Sequence, residues 1–472
     1  MTHPLNDAPT PPSPSTSDPG SPTTRLIALI ATTLVVLLVV WMQAAARNAP
    51  YLASTTTVDP PGAVVQLIGR YSVGAAKLLP AQDQQLAEPL TEQMDDSFGA
   101  DPADALRVAI VKAELLSATA AIDHLTVLLE REDIPEPVRA DADILLRLYS
   151  DGTTALTPEE RTALSDHHDW FGRLALSHAL PDSNPTRASA LSDAKRTAIV
   201  LFLALGAAGL LLILGIIALI ILLTQRLSGK LPFTYHPATP GGSVYLEAFA
   251  IFLLGFLAIA LASDLLTSAT GLELTPLLIW LLALIPFYPL LRGQTWAKHR
   301  YALGFHKGKG LFREIGAGIL GYLAGLPVFL IGILCTLLFA VIHSALTSAA
   351  GQPAGPPPSH PLVDTVGSGG ILGILIIYSM VSVWAPFVEE SMFRGCFYHH
   401  LRARYRPFLS AFLVAFVFAV IHPPGIIAVP ALMSLAIVFA YIREWRGSII
   451  GCVTAHALHN GAIITTLLLM LA

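Results

Sequence analysis

The segment Pro386-Phe387-Val388-Glu389-Glu390-Ser391-Met392-Phe393-Arg394 sets two adjacent carboxylates and a guanidinium in a stretch that otherwise reads as membrane-spanning. A charged side chain at the centre of a bilayer costs about 3 kcal/mol on insertion scales, so it persists mainly where it pairs, lines a wet cavity or does chemistry. On a helix, Glu390 and Arg394 stand at i and i+4 on one face, where an ion pair forms readily. Glu389 lies about 100° round the cylinder. Arg394 can therefore neutralise Glu390 and leave Glu389 facing a second partner. The plainer account of this stretch alone is a structural ion pair with a spare carboxylate at the helix end.

Two further polar groups sit at membrane depth, both C-terminal to the first. In Phe418-Ala419-Val420-Ile421-His422 an imidazole ends a short span, and Pro423-Pro424 is placed to stop the helix. In His456-Ala457-Leu458-His459-Asn460, His456 and Asn460 share a helix face within the last span. Taken singly, each has a dull explanation, a His bonded to a backbone carbonyl or an Asn gluing helices together. His399, His400 and His459 are expected to be of that kind.

As a set, Glu389, Glu390, Arg394, His422, His456 and Asn460 supply the parts for hydrolysis. A general base must lie within hydrogen-bond reach of a water. Glu389 fits that role, with His422 steering the same water. His456 and Asn460 can donate to an oxyanion as a carbonyl becomes tetrahedral, worth about 3–4 kcal/mol per donor removed. Ser391 and Cys396 lie near, but neither has a paired base and orienter at fixed spacing. Zinc is the competing chemistry: Glu389, His422 and His456 would make a three-ligand site with one position open to water. Asn460 argues mildly against it, because an amide is a poor zinc ligand.

The elements that must carry these residues are membrane helices. The chain is 54% hydrophobic and 13% charged with mean hydropathy +0.62, against about 25% charged in soluble domains. An all-α, polytopic helical membrane protein follows, with an inserted extracytoplasmic helical domain. Residues 1–24, rich in Pro, Ser and Thr, read as a disordered cytoplasmic tail. Residues 25–46 form the first transmembrane helix. Ala44-Ala45-Ala46 resembles a signal-peptidase site, but the apolar run exceeds the usual 7–15-residue signal core, which favours an uncleaved anchor. Residues 197–225 form the second span, and runs at 244–265, 275–291, 315–343, 371–400, 408–422, 426–442 and 449–471 bring the expected count to about nine.

Charge sets the orientation. Residues 48–196 hold 23 acidic and 12 basic residues, or −11, within a chain of net −5, so the remainder is +6. The loops after the second, fourth, sixth and eighth spans are basic, with Arg226 and Lys230, Arg292 to Arg313, Arg402 to Arg406, and Arg443 with Arg446. Basic loops stay in the cytoplasm, so the N-terminus is expected inside and the C-terminus and the 47–196 domain outside, in a bacterial inner membrane. In that domain Asp101-Pro102 starts a long helix to about Arg131, Thr157-Pro158-Glu159-Glu160 is a capping box and Gly152 is a helix stop. Four to six helices are expected, with His167, His168 and Trp170 on a solvated face. Cys335, Cys396 and Cys452 all fall in spans, as small apolar packing groups.

Glu-Glu-x-x-x-Arg at 389–394, Phe-x-x-x-His at 418–422 and His-x-x-x-Asn at 456–460, in that order on successive terminal spans, resemble the CPBP family of intramembrane proteases. These are the CAAX-protease and bacteriocin-processing, or Abi, enzymes. The likeness covers roughly residues 240–472, and the basic loop Lys298–Arg313 followed by Gly316, Gly318 and Gly321 is similar to the family's entry to its core. The resemblance implies an intramembrane endopeptidase in which Glu389 acts as base on water with His422, His456 and Asn460 stabilise the oxyanion, and Glu390 and Arg394 hold the site's shape. It requires no cofactor in the glutamate form and zinc in the metalloprotease form. Expected partners are the lipid bilayer, a membrane-embedded or membrane-associated peptide as substrate, and a protein partner for the 47–196 domain, with no nucleic acid. The rival reading of another class is a non-catalytic receptor or scaffold whose buried polar residues are structural. A transporter ranks lower, because no internal repeat is visible.

Overall fold

The structure, a computed structural model, describes residues 17–47, 58, 60–79, 87–270, 275–349, 371–422 and 426–471. Among them every regular element is helical and no strand occurs. Long apolar runs can satisfy their backbone groups in lipid only within their own segment, which is the helix. Six helices are long and apolar enough to cross a bilayer: Pro22–Ala45, Pro185–Leu227, Val244–Thr270, Leu311–Thr347, Ile371–Arg402 and Ile450–Leu471. The protein is thus an all-α polytopic membrane protein, with six helices of spanning length among the described residues where the apolar runs suggested nine.

The other three runs form shorter pieces. Residues 275–291 divide into Thr275–Leu278, a 3-10 stretch Ile279–Phe287 with Pro286 inside it, and Tyr288–Leu291. A proline within a helix removes a hydrogen bond and clashes with the carbonyl four residues back. Pro407–Val420 has 14 residues, or about 21 Å, less than the apolar thickness of a bilayer. Val429–Arg446 has 18 residues, but its last turn carries Arg443 and Arg446.

One compact unit comprises Met1–Asn48, Ala208–Ala340 and Leu375–Ile464. Its core gathers Phe249, Met392, Phe393, Phe397, Val414 and Phe418, all buried. The helices Leu311–Ala349 and Ile450–Leu471 meet backbone to backbone: a Cβ at Gly318 would lie 2.5 Å from Gly451 O. The tail expected over 1–24 is ordered from residue 17. Pro19 O accepts from Ser243 N at 3.0 Å and Val244 N at 3.1 Å. Asp18 accepts from Gln294 Nε2 and bonds His399 Nε2, each at 3.0 Å. Residues 1–16 lie outside the described residues.

The second unit comprises Ala49–Ala207, Val341–Ile374 and Thr465–Ala472. Seven helices, from Ala63–Leu78 to Trp170–Leu176, precede the 43-residue helix Pro185–Leu227, where four to six were expected. The single helix expected from Asp101 is two, Pro102–Leu115 and Ala118–Leu129. Ser117 takes an extended conformation between them and its hydroxyl accepts from Ala120 N, so a serine in the middle of the run acts as a cap. Asp101 caps the first with its carboxylate, and the Thr157–Glu160 capping box is complete. The face carrying His168 and Trp170 is not solvated. Both side chains are fully buried, His168 bonds Asp141 at 3.2 Å, and the Trp170 indole donates to Ala190 O at 2.9 Å. Only His167, on the same carboxylate at 2.8 Å, is open to solvent.

Candidate active site

Glu389 and Glu390 end a six-residue α-helical stretch, Ala385–Glu390, flanked by two π-helical ones, Met380–Trp384 and Ser391–Phe397. π-turns lengthen the hydrogen-bonded ring and offset carbonyls from their usual donors, and they recur at functional sites. The first offset has a visible use: Asn460 Nδ2 donates to Val381 O at 2.9 Å, tying the last helix to the π-turn.

The i, i+4 pair forms despite the second π-stretch. Arg394 Nη1 lies 2.8 Å from Glu390 Oε1, with both side chains fully buried. Arg394 also donates to Ala436 O at 3.1 Å and lies 5.0 and 5.2 Å from the ring centroids of Phe418 and Phe439. Glu390 Oε1 takes a second donor, His456 Nδ1, at 2.9 Å. A carboxylate paired with arginine can only accept, so Nδ1 carries the proton and Nε2 is turned the other way. It faces Glu389, whose Oε2 lies 3.9 Å off. The Phe439 ring stacks on His456 at 5.2 Å and fixes its plane.

His422 follows the same pattern from another helix. Pro407–Val420 ends just before it, and Pro423 and Pro424, expected to stop that helix, lie outside the described residues. His422 Nδ1 donates to Phe418 O, so Nε2 is free to face Glu389 Oε2 at 3.7 Å. Three heteroatoms, two from helices and one from the turn after a third, thus converge, at separations of 3.7 and 3.9 Å that are too long for direct hydrogen bonds. Polar groups spaced beyond about 3.5 Å are those a water can bridge. Glu389 and His422 keep 18% and 24% of their side-chain surface, while Glu390 and Arg394 keep none. Access is therefore from the Glu389–His422 side.

Residues 371–462 match the family model of the type II CAAX prenyl endopeptidase Rce1-like proteins. That segment resembles the family. No curated protein and no solved structure matches the chain. The Rce1-like segment contains all six polar residues and is shorter than the 240–472 over which the motifs suggested a likeness; the Lys298–Arg313 loop and Gly316, Gly318 and Gly321 precede it. The likeness of that segment points to the protease class, and the helices of spanning length among the described residues fit an integral membrane protein.

The neighbouring histidines have other work. His459 bonds the Tyr322 hydroxyl at 3.2 Å, His399 joins Asp18 to Tyr235, and His400 lies against Arg404. A zinc ion fits the Rce1-like site poorly. Zinc–nitrogen bonds of about 2.0–2.1 Å put tetrahedral ligands about 3.3 Å apart, closer than the separations here. Among the described residues no group of three His, Cys, Asp or Glu is set to hold a metal ion. The π-turns, the Val381 carbonyl and the Phe418–Phe439 sandwich round Arg394 are parts that the residue types and spacing did not reveal. No local composition marks a π-turn, and the sandwich is assembled from distant helices.

Proposed function

We propose that this protein is a glutamate-type intramembrane endopeptidase that cleaves a membrane-embedded or membrane-associated peptide. The observation that carries the proposal is the convergence of Glu389 Oε2 with His422 Nε2 and His456 Nε2 at 3.7 and 3.9 Å. A water between them gives one proton to Glu389 while its other hydrogen bonds His422 Nε2. The hydroxide attacks the peptide carbonyl carbon, and the C–N bond then breaks as Glu389 returns the proton to the leaving amine. The products are a carboxylic acid and an amine, which leave as carboxylate and ammonium once the acid's proton passes to the amine, with no other reactant.

The bonding pattern supports the roles of the rest. Glu390 pairs with Arg394 and also bonds His456 Nδ1, which fixes the orientation of that imidazole. Held by Glu390 at Nδ1, His456 turns Nε2 toward the side where the oxyanion develops, and the second N–H of Asn460 is a further donor to it. Glu390 and Arg394 act as positioning residues. No step passes through a metal. We further propose a bacterial inner membrane as the location, with the basic loops in the cytoplasm.

The test is Glu389→Gln in the full-length protein, with cleavage of a hydrophobic reporter peptide in proteoliposomes as readout. Loss of a general base lowers the rate by about 10²–10⁴-fold at unchanged thermal stability. Retained cleavage would remove the mechanism and return the site to the scaffold reading.

A further inference from the structure

On the face of the first unit that carries basic loops lies a cavity of about 200 Å³ that none of the six active-site residues lines. Its wall includes Tyr235, His236, Tyr301, His306, Lys309 and Arg446 and contains no Asp or Glu. Among the described residues, the Tyr301 hydroxyl, the Lys309 ammonium and the His236 imidazole have no hydrogen-bond or ion-pair partner. His306 Nδ1 accepts from Gly308 N at 3.2 Å, and the imidazole is also hydrogen-bonded to the Gly447 backbone, so both of its nitrogens are engaged. Burial, and then the nearby Arg443, hold the His306 pKa down at about 4, so this imidazole is neutral near pH 7. The acids bonded to wall residues are already engaged: Glu314 is fully buried and bonds Arg446 at 2.6 and 2.8 Å and Lys309 N at 2.8 Å, and Asp18 bonds His399, which also lines the cavity, at 3.0 Å.

Beneath the cavity floor is a cation without a counter-ion. Arg443 is fully buried, and its guanidinium donates to Ala302 O at 2.8 Å, Arg394 O at 3.4 Å and Gly447 O. It lies 4.9 Å from the Tyr235 ring centroid. Ala302, Gly447 and Tyr235 all line the cavity. No carboxylate among the described residues pairs with Arg443, and the adjacent Glu444 is committed to Tyr398 and Arg402. Gly304, at φ +83°, leaves the room: a Cβ there would collide with the guanidinium. A buried charge facing only carbonyl dipoles keeps a positive field, and that field favours an anion in the adjoining cavity.

We propose that this cavity is a binding site for a phosphate-type oxyanion, held by Lys309, Tyr301 and His236 above the buried Arg443. The donors come from the helix Trp296–Leu303 and the loop that follows it, while His236 approaches from the opposite chain segment. Donors from several directions suit a tetrahedral anion; a planar carboxylate is met along one edge. The phosphate is either that of a lipid headgroup or a free one.

The experiment uses the full-length protein in two arms. In detergent, inorganic phosphate is titrated against chloride at constant ionic strength, with the thermal unfolding temperature as readout. In nanodiscs of phosphatidylglycerol or phosphatidylcholine, native mass spectrometry counts retained lipid. A saturable rise with inorganic phosphate, weakened about tenfold in Lys309→Ala and in Tyr301→Phe, supports a free phosphate. No response to phosphate, with phosphatidylglycerol retained by the natural protein and lost in both variants, supports a lipid. No binding in either arm, or binding that both variants leave unchanged, overturns the site. Arg443→Gln should abolish binding, and if it fails to fold, the two rim variants still decide the outcome.

Discussion

Glu114 in the second unit and Glu390 in the first are both enclosed carboxylates, with 2% and 0% of their side-chain surface exposed. Their surroundings differ in one respect. Glu114 gathers Lys77 at 2.8 Å, Arg187 through both oxygens at 2.7 and 2.9 Å, and His178 at 3.6 Å. Burial would raise its pKa, but the neighbouring His178, Arg187 and Lys77 overcome that and hold it at about 2. Glu390 has Arg394 and His456 on one oxygen, and its Oε2 has no partner, nor does Arg394 Nε. Beside it Glu389 is left 3.7 and 3.9 Å from two imidazoles. A carboxylate that only holds helices together is surrounded by donors until nothing more can bond it. The pair in the membrane unit keeps bonding capacity in reserve, which a reaction can use.

Breaking the comparison at its functional end should cost most, and the Glu389→Gln loss stated above is the largest effect expected. Next is Arg394→Met. It leaves Glu390 buried without its cation, so thermal unfolding in detergent should show about 3–5 kcal/mol of lost stability, with activity lost alongside. Arg394→Lys should recover part of the stability but less of the activity, because a point charge cannot bond Glu390 and Ala436 O in the same geometry.

Asn460→Ala should lower kcat by about 10²-fold with little change in KM, if its free N–H meets the oxyanion. An equal change in stability and no change in kcat would restrict Asn460 to holding the Val381 π-turn.

At the structural end, Glu114→Gln should destabilise the second unit by about 2 kcal/mol without touching the cleavage step. The pH dependence has a definite sign. The folded pKa of Glu114, at about 2, lies below its ordinary 4.5, so its contribution is full above about pH 5 and is lost as pH falls toward 2. Acid unfolding of the natural protein should therefore show a stability loss in that window which Glu114→Gln lacks. The smallest effect expected is none at all: exhaustive chelation should leave cleavage unchanged, and activity restored only by zinc would reverse the reading of the Glu389 site.

Much of this was legible in the residues. Glu390 with Arg394 required only the i, i+4 rule, and the pair forms even with a π-stretch between its members. The Asp101 and Thr157 caps were equally plain, being local. Ser117 was missed as a helix break because a serine in a run of good helix formers is ordinary until the chain beyond it must turn. The solvated face assigned to His168 and Trp170 failed for a related reason. Polar and aromatic types do not say what packs over them, and here the helix containing Ala190 does.

What the sequence determined by itself was every choice that depends on neighbours a few residues away or on bulk transfer from water: long helices, their basic loops, the caps, and three short motifs of residues that lipid rejects. Only the tertiary structure decided which nitrogen of His422 and of His456 faces Glu389, that Asn460 reaches a carbonyl freed by a π-turn, and that Arg443 lies buried with no carboxylate paired to it among the described residues. Those outcomes turn on ångström-scale separations between helices that lie far apart in the chain, and no periodicity within one helix encodes the distance to another.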